Sequence, residues 1–271
     1  GDGGGGGGGV GLEVCVDTAG GLAQAVAGGA ERIELCAALA LGGLTPSAGL
    51  IGLAAECGVP VVAMIRPRAG DFVWSKAEVG MMEVEIGAVR AAGLAGVVLG
   101  ASLPDGRLDG TVLRRLVAAA VGMEGRRFLQ RNRTGAFEGS EAEFSIIPAP
   151  LELVLHRCID LAPDMSAALE DAVALGFHRV LTSGAEVTAE KGAARIAALV
   201  AQAAGRITVM PGSGVTPVNA PQLKALGITE IHASCSATIP VTGRAVEMGF
   251  APALWRQTDA DAVRALKTAL E

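Results

Sequence analysis

Tyrosine is absent from the 271 residues, and aromatic side chains of all kinds make up only 3%. So few ring faces argue against a nucleic-acid surface built on base stacking. Basic residues are also few: 22 against 28 acidic ones leave a formal charge of −6. No basic cluster is present, which excludes electrostatic capture of nucleic acid or of an anionic membrane as the main activity. Apolar residues come in short packets broken by Gly, Pro and charge, and no uncharged run reaches the ~18 residues that a membrane span needs. A basic start followed by an apolar leader is lacking too. The cysteines, Cys15, Cys36, Cys57, Cys158 and Cys235, are odd in number and contain no C-x-x-C spacing. Reduced thiols in a cytoplasmic setting are therefore expected instead of a disulfide framework. Neither G-x-G-x-x-G after the first strand nor G-x-x-x-x-G-K-[ST] anywhere occurs, so no organic cofactor is indicated.

Half of the residues, 51%, are hydrophobic, enough for a sizeable core. Short aliphatic segments alternate with Ala/Leu-rich stretches of helical spacing. The predicted strands are Leu12–Val16, Arg32–Cys36, Pro60–Arg66, Gly96–Gly100, Leu151–Arg157, Arg179–Gly184, Ile207–Gly212 and Glu230–Ser234. Predicted helices lie near Gly20–Ala27, Pro46–Cys57, Lys76–Ala92, Gly110–Val121, Met165–Leu175, Lys191–Ala203, Val218–Leu226 and Asp259–Leu270. Eight strand–helix units in one chain predict an α/β fold, a single-domain (β/α)8 TIM-type barrel over residues 12–271. The glycine-rich stretch 1–11 is expected to be a disordered tail, and 125–150 a surface insertion.

Alternation along a strand sends successive side chains to opposite faces. If the aliphatic set meets the helices, Glu13, Cys15, Glu34, Cys36, Met64, Arg66, His156, Met210 and His232 point into the barrel. The sixth strand leaves this open, because Thr182 and Ser183 both sit at its end. Isolated buried charge costs several kcal/mol. Glu13, Glu34 and Arg66 must therefore be paired or bind something, and the lumen is expected to carry the site.

Two chemistries suit this set. Soft thiolates select Cu(I), and Cys15 and Cys36, expected at similar height on neighbouring strands, are the candidate metal ligands. Alternatively, the barrel is an enzyme of lyase, isomerase or hydrolase class acting on a small anionic or phosphorylated molecule. Glu13, Glu34 and His156 would then be its acid–base groups. Arg66, Arg68, Thr182, Ser183, His232 and the Gly212-Ser213-Gly214 turn would hold the anion.

The stretches Leu12–Val16, Arg32–Cys36, Leu41–Ser47, Met64–Phe72, Leu155–Arg157, Leu181–Gly184, Met210–Gly214 and Ile231–Ser234, in this order, resemble the CutC family, associated with copper homeostasis. The resemblance implies a (β/α)8-like barrel, a cytoplasmic location, a homo-oligomer and a role in copper binding or tolerance. It does not supply a reaction. His156-Arg157-Cys158-Ile159-Asp160 departs from the family's usual Ala-Phe-Asp continuation after His-Arg, and the segment after Ser234 diverges as well.

Overall fold

A computed structural model describes residues 9–122 and 150–271. Residues 1–8 of the expected 1–11 tail and nearly all of the 125–150 insertion lie outside the described residues, while Gly11, expected in the tail, already opens the first strand. The barrel strands are β1 (Gly11–Val16), β2 (Arg32–Leu35), β3 (Val61–Met64), β4 (Gly96–Leu99), β5 (Glu152–Leu155), β6 (Arg179–Thr182), β7 (Thr208–Pro211) and β8 (Glu230–Ala233). Intervening helices are α1 (Ala19–Gly28), α2 (Ala48–Ala54), α3 (Lys76–Ala91), α4 (Gly110–Val121), α5 (Met165–Ala174), α6 (Ala193–Ala203) and α7 (Ala220–Lys224). All eight predicted strands and their helices are found, with ends that move by one or a few residues.

The sheet is parallel and runs β7-β6-β5-β4-β3-β2-β1-β8, so pairing of β8 with β1 bends it into a barrel that closes where β7 packs against β8. Local chemistry sets the helix ends. Ser75 and Glu78 form a reciprocal capping box at α3, and Asp109 accepts the N–H groups of Thr111 and Val112 at α4. Gly29 ends α1 at φ 90°, a left-handed conformation in which a side chain would be strained.

Past β8 the chain makes an excursion that the sequence left unassigned. Strands β9 (Ser236–Pro240) and β10 (Leu254–Thr258) pair antiparallel, with a short helix α8 (Arg244–Glu247) between them, before α9 (Ala260–Leu270) returns to the barrel. Among the exposed apolar side chains on this arm are Ile239, Met248, Phe250 and Leu254.

Two layers fill the lumen. An apolar cluster of Val62, Val98, Val154, Leu181 and Met210, with Cys36 and Met64, occupies the β3–β7 side. Leu181 settles the ambiguity of β6: it points inward, so Thr182 does not. Towards the N-terminal ends of the strands, a chain of opposite charges crosses the barrel. Arg179 bridges Glu152 (2.5 Å) and Glu230 (2.7 Å), while Arg32 bridges Glu230 (2.5 Å) and Glu13. Two guanidiniums are shared among three carboxylates so that each carboxylate touches at least one, which offsets the desolvation that makes isolated buried charge so costly.

Candidate metal centre

Register brings the site together. Along β1, Glu13 lies opposite Arg32 of β2 and His232 of β8, and Cys15 lies opposite Glu34. Cys15, Glu34 and His232 are all buried, and one ligand atom from each lies within 4.8 Å of the other two. The expectation that Cys15 and Cys36 share a height is corrected by this register, which seats Cys36 two residues further along β2 than Glu34, the neighbour of Cys15. The Cys36 thiol instead donates to Glu34 Oε2 at 3.5 Å. Burial and the Glu34 charge push its pKa well up, so it stays protonated.

His232 is held on both sides. Its Nδ1 lies 2.8 Å from Glu13 Oε1, and its Nε2 lies 3.8 Å from Glu34 Oε2. Burial alone would raise the Glu13 carboxyl, but the hydrogen bond and charge of His232, with the charge of Arg32, outweigh it and hold the group at about 2. The Glu13 carboxylate is therefore a permanent acceptor that fixes the proton on Nδ1 and turns Nε2 towards Cys15 and Glu34. Burial would lower the pKa of His232, yet the charges of Glu34 and Cys15 raise it well above the usual value, so a metal ion at Nε2 must displace the proton held there. Glu34 itself is raised by burial and by Glu13, against the opposing charge of His232, and its Oε1 is buried without a hydrogen-bond partner.

The trio forms one wall of a cavity of about 480 Å³ at the C-terminal ends of the strands. Met64, Arg66, Phe72, His156, Ser213 and Gly214 also line it. Room for the His156 ring comes from Gly100, where a Cβ would meet imidazole Cε1 at 2.3 Å. His156 Nδ1 accepts from the Cys158 N–H (3.1 Å), and burial with the nearby Arg66 charge lowers its pKa to about 3. A neutral ring with Nδ1 already accepting carries its proton on Nε2, which makes His156 a hydrogen-bond donor and a poor base.

Other expected site residues have different employment. Arg68 pairs with Glu78 (2.5 Å) and Asp71 (3.1 Å), stacks over Trp74, and does not line the cavity. Thr182 and Ser183 donate to Asp160 at 2.5 and 3.0 Å, serving to order the loop after β6. Gly212 is a packing residue, since a Cβ there would meet Leu181 Cδ1 at 2.5 Å. Ser213 Oγ donates to Val187 O (2.8 Å), while Ser213 and Gly214 do reach the cavity. Asp160, Arg32 and Arg179 were not singled out from the sequence; the run of polar groups at 182–183 was the one hint that an acid must lie beside them.

The CutC family model matches residues 10–127 and 131–237. The chain belongs to the CutC family. A CutC family protein of Rhizobium meliloti (strain 1021) is 48% identical over 264 residues, covering 97% of this chain and 96% of that relative. One from Photobacterium profundum is 41% identical over 231 residues, covering 84% and 83% respectively. Among solved structures, CutC from Streptococcus agalactiae, described as a candidate copper homeostasis protein, superposes with a TM-score of 0.69. It is 29% identical, over 83% of this chain and 98% of that one. Phosphoribosyl anthranilate isomerase from Thermus thermophilus, 14% identical with a TM-score of 0.51 over 96% and 98% of the two chains, shares the barrel alone. The family match spans β1 to the start of β9 and so contains every residue of the trio. No helix among the described residues is long and apolar enough to cross a membrane.

Proposed function

We propose that this CutC-family chain binds copper as Cu(I), as cargo, through Cys15, His232 and Glu34 at the barrel mouth. The observation that carries this reading is the Glu13–His232 pair beside a buried thiol. Metal-binding imidazoles characteristically donate their second ring N–H to a carboxylate, which fixes the tautomer and raises ligand basicity. Here Glu13 occupies that position, itself secured by Arg32. A thiol and an imidazole suit Cu(I), and Cys36 and Met64 add soft sulfur nearby, both packed around Gly43. The five cysteines are free thiols, consistent with a reducing cytoplasm, where Cu(I) is the stable oxidation state. The description of the S. agalactiae relative as a candidate copper homeostasis protein supports the choice of ion.

A sulfur, nitrogen and oxygen set is also acceptable to Zn(II), so the test carries a zinc arm. The reduced chain is titrated anaerobically with Cu(I) against a competing chelator, then with Zn(II). One Cu(I) per chain is expected, with affinity falling at least 100-fold in Cys15→Ser/His232→Phe and much less in Cys36→Ser. Unchanged Cu(I) binding in the double variant, or Zn(II) that Cu(I) does not displace, contradicts the reading.

A second reading, an enzyme acting on a small anion, is favoured by one specific observation: two cavity-lining residues, Arg66 and His156, each carry a buried nitrogen without a partner.

A further inference from the structure

Arg66 and His156 line the same cavity as the metal trio, from just beyond the ends of β3 and β5. Arg66 is 7% exposed and His156 3%. The guanidinium is anchored by main-chain oxygens only: Nη1 donates to Leu41 O (2.8 Å) and Gly43 O (3.0 Å), and Nη2 to Gly70 O (3.4 Å). No carboxylate among the described residues forms an ion pair with it. Its Nε is buried with no partner, and so is His156 Nε2. Phe72 is a neighbour of both groups, its ring centroid 5.3 Å from Arg66 Cζ and 4.6 Å from the imidazole centroid.

A buried guanidinium whose partners are all neutral carbonyls leaves a full positive charge uncompensated, and a buried N–H without an acceptor is destabilising by itself. Two such donors in one cavity are explained together by a single anion. We propose that Arg66 Nε and His156 Nε2 jointly bind the carboxylate of a small organic acid inside the barrel mouth. One unit of positive charge and two N–H groups match a monoanion with one or two acceptor oxygens. A phosphate dianion brings more charge and more oxygens than this pair can satisfy. Leu39, Met64, Leu181 and the Phe72 face supply apolar wall for a short carbon chain. Because His156 Nδ1 is committed to the Cys158 N–H, the imidazole orients the acid and does not take its proton. The site needs no metal, so it stands or falls separately from the copper reading.

The test uses the metal-free full chain and three probes: butyrate, pyruvate and inorganic phosphate. The His156 Nε2–H signal is followed by 1H–15N NMR, and affinity by the same titration. Butyrate or pyruvate should shift that signal saturably. The variants Arg66→Lys, which keeps the charge but loses Nε, and His156→Asn, which keeps an acceptor for the Cys158 N–H, should each weaken binding about tenfold or more. Cu(I) affinity in His156→Asn should stay unchanged, since no trio residue is altered. Absence of a saturable shift with both acids, wild-type binding in both variants, or tighter binding of phosphate than of either acid would overturn the assignment.

Discussion

Glu13 Oε1 sits 2.8 Å from His232 Nδ1, while Arg32 grips the other oxygen of the same carboxylate. This relay ties the charged floor of the barrel to the imidazole at its mouth. Glu13→Gln keeps the shape but removes the charge that sets the His232 tautomer. Loss of such an outer partner costs about 10–100-fold in metal affinity, measurable by chelator competition. A variant that binds Cu(I) as tightly as the unaltered chain shows that His232 is not a ligand.

Arg32 joins two carboxylates, Glu13 and Glu230, in the lumen. Arg32→Met leaves both without that partner, and breaking a buried pair from one side costs roughly 3–5 kcal/mol. Denaturant unfolding should report a loss of this size. A loss under ~1 kcal/mol would mean that water reaches the network and screens it.

Gly100 admits the His156 ring only because it has no side chain. In Gly100→Ala the new methyl meets His156 Cε1 at 2.3 Å and Cys158 Sγ at 2.5 Å. Overpacking of a filled site costs about 1–3 kcal/mol, and a shift in the His156 NMR signals should accompany it. Unchanged stability and unchanged signals would show that the ring has space to retreat.

His156 carries a pH dependence whose sign is fixed. In the unfolded chain an imidazole takes up a proton below its ordinary value of 6.5, whereas in the fold burial and Arg66 delay this until about 3. Cys158, the other titratable group against the ring, is pushed up by burial and stays neutral. Between these two pH values the unfolded state binds the extra proton, so this group destabilises the fold progressively as pH falls, by about 1.4 kcal/mol per unit. His156→Asn should flatten the slope of unfolding free energy between pH 6 and 4 relative to the parent. Parallel slopes would mean that the ring is protonated in the fold.

Much of this was legible in the sequence. Strict alternation in Leu12–Val16 and Arg32–Cys36 placed Glu13, Cys15, Glu34 and Cys36 in the lumen, and the burial of all four agrees. Eight strand–helix units announced the barrel. What alternation could not supply is register between strands. Cys15 and His232 are 217 residues apart, and only the closure of β8 on β1 makes them neighbours. The pairing of Cys15 with Glu34 instead of Cys36 depends on a two-residue offset that no local pattern encodes. Arg32 and Arg179 begin their strands, where an arginine ordinarily reads as a solvated end; Glu230 across the lumen draws them in. The β9–β10 arm escaped notice because Ser236–Pro240 and Leu254–Thr258 are short and pack little apolar surface, so neither shows a clean period of two.

The most direct measurement is anomalous diffraction at the copper absorption edge from crystals of the reduced chain loaded with one equivalent of Cu(I). The account predicts a single strong peak bonded to Cys15 Sγ and His232 Nε2, with Glu34 beside it and Glu13 still on Nδ1. A peak at another set of side chains, or none at the barrel mouth despite stoichiometric loading, would contradict it.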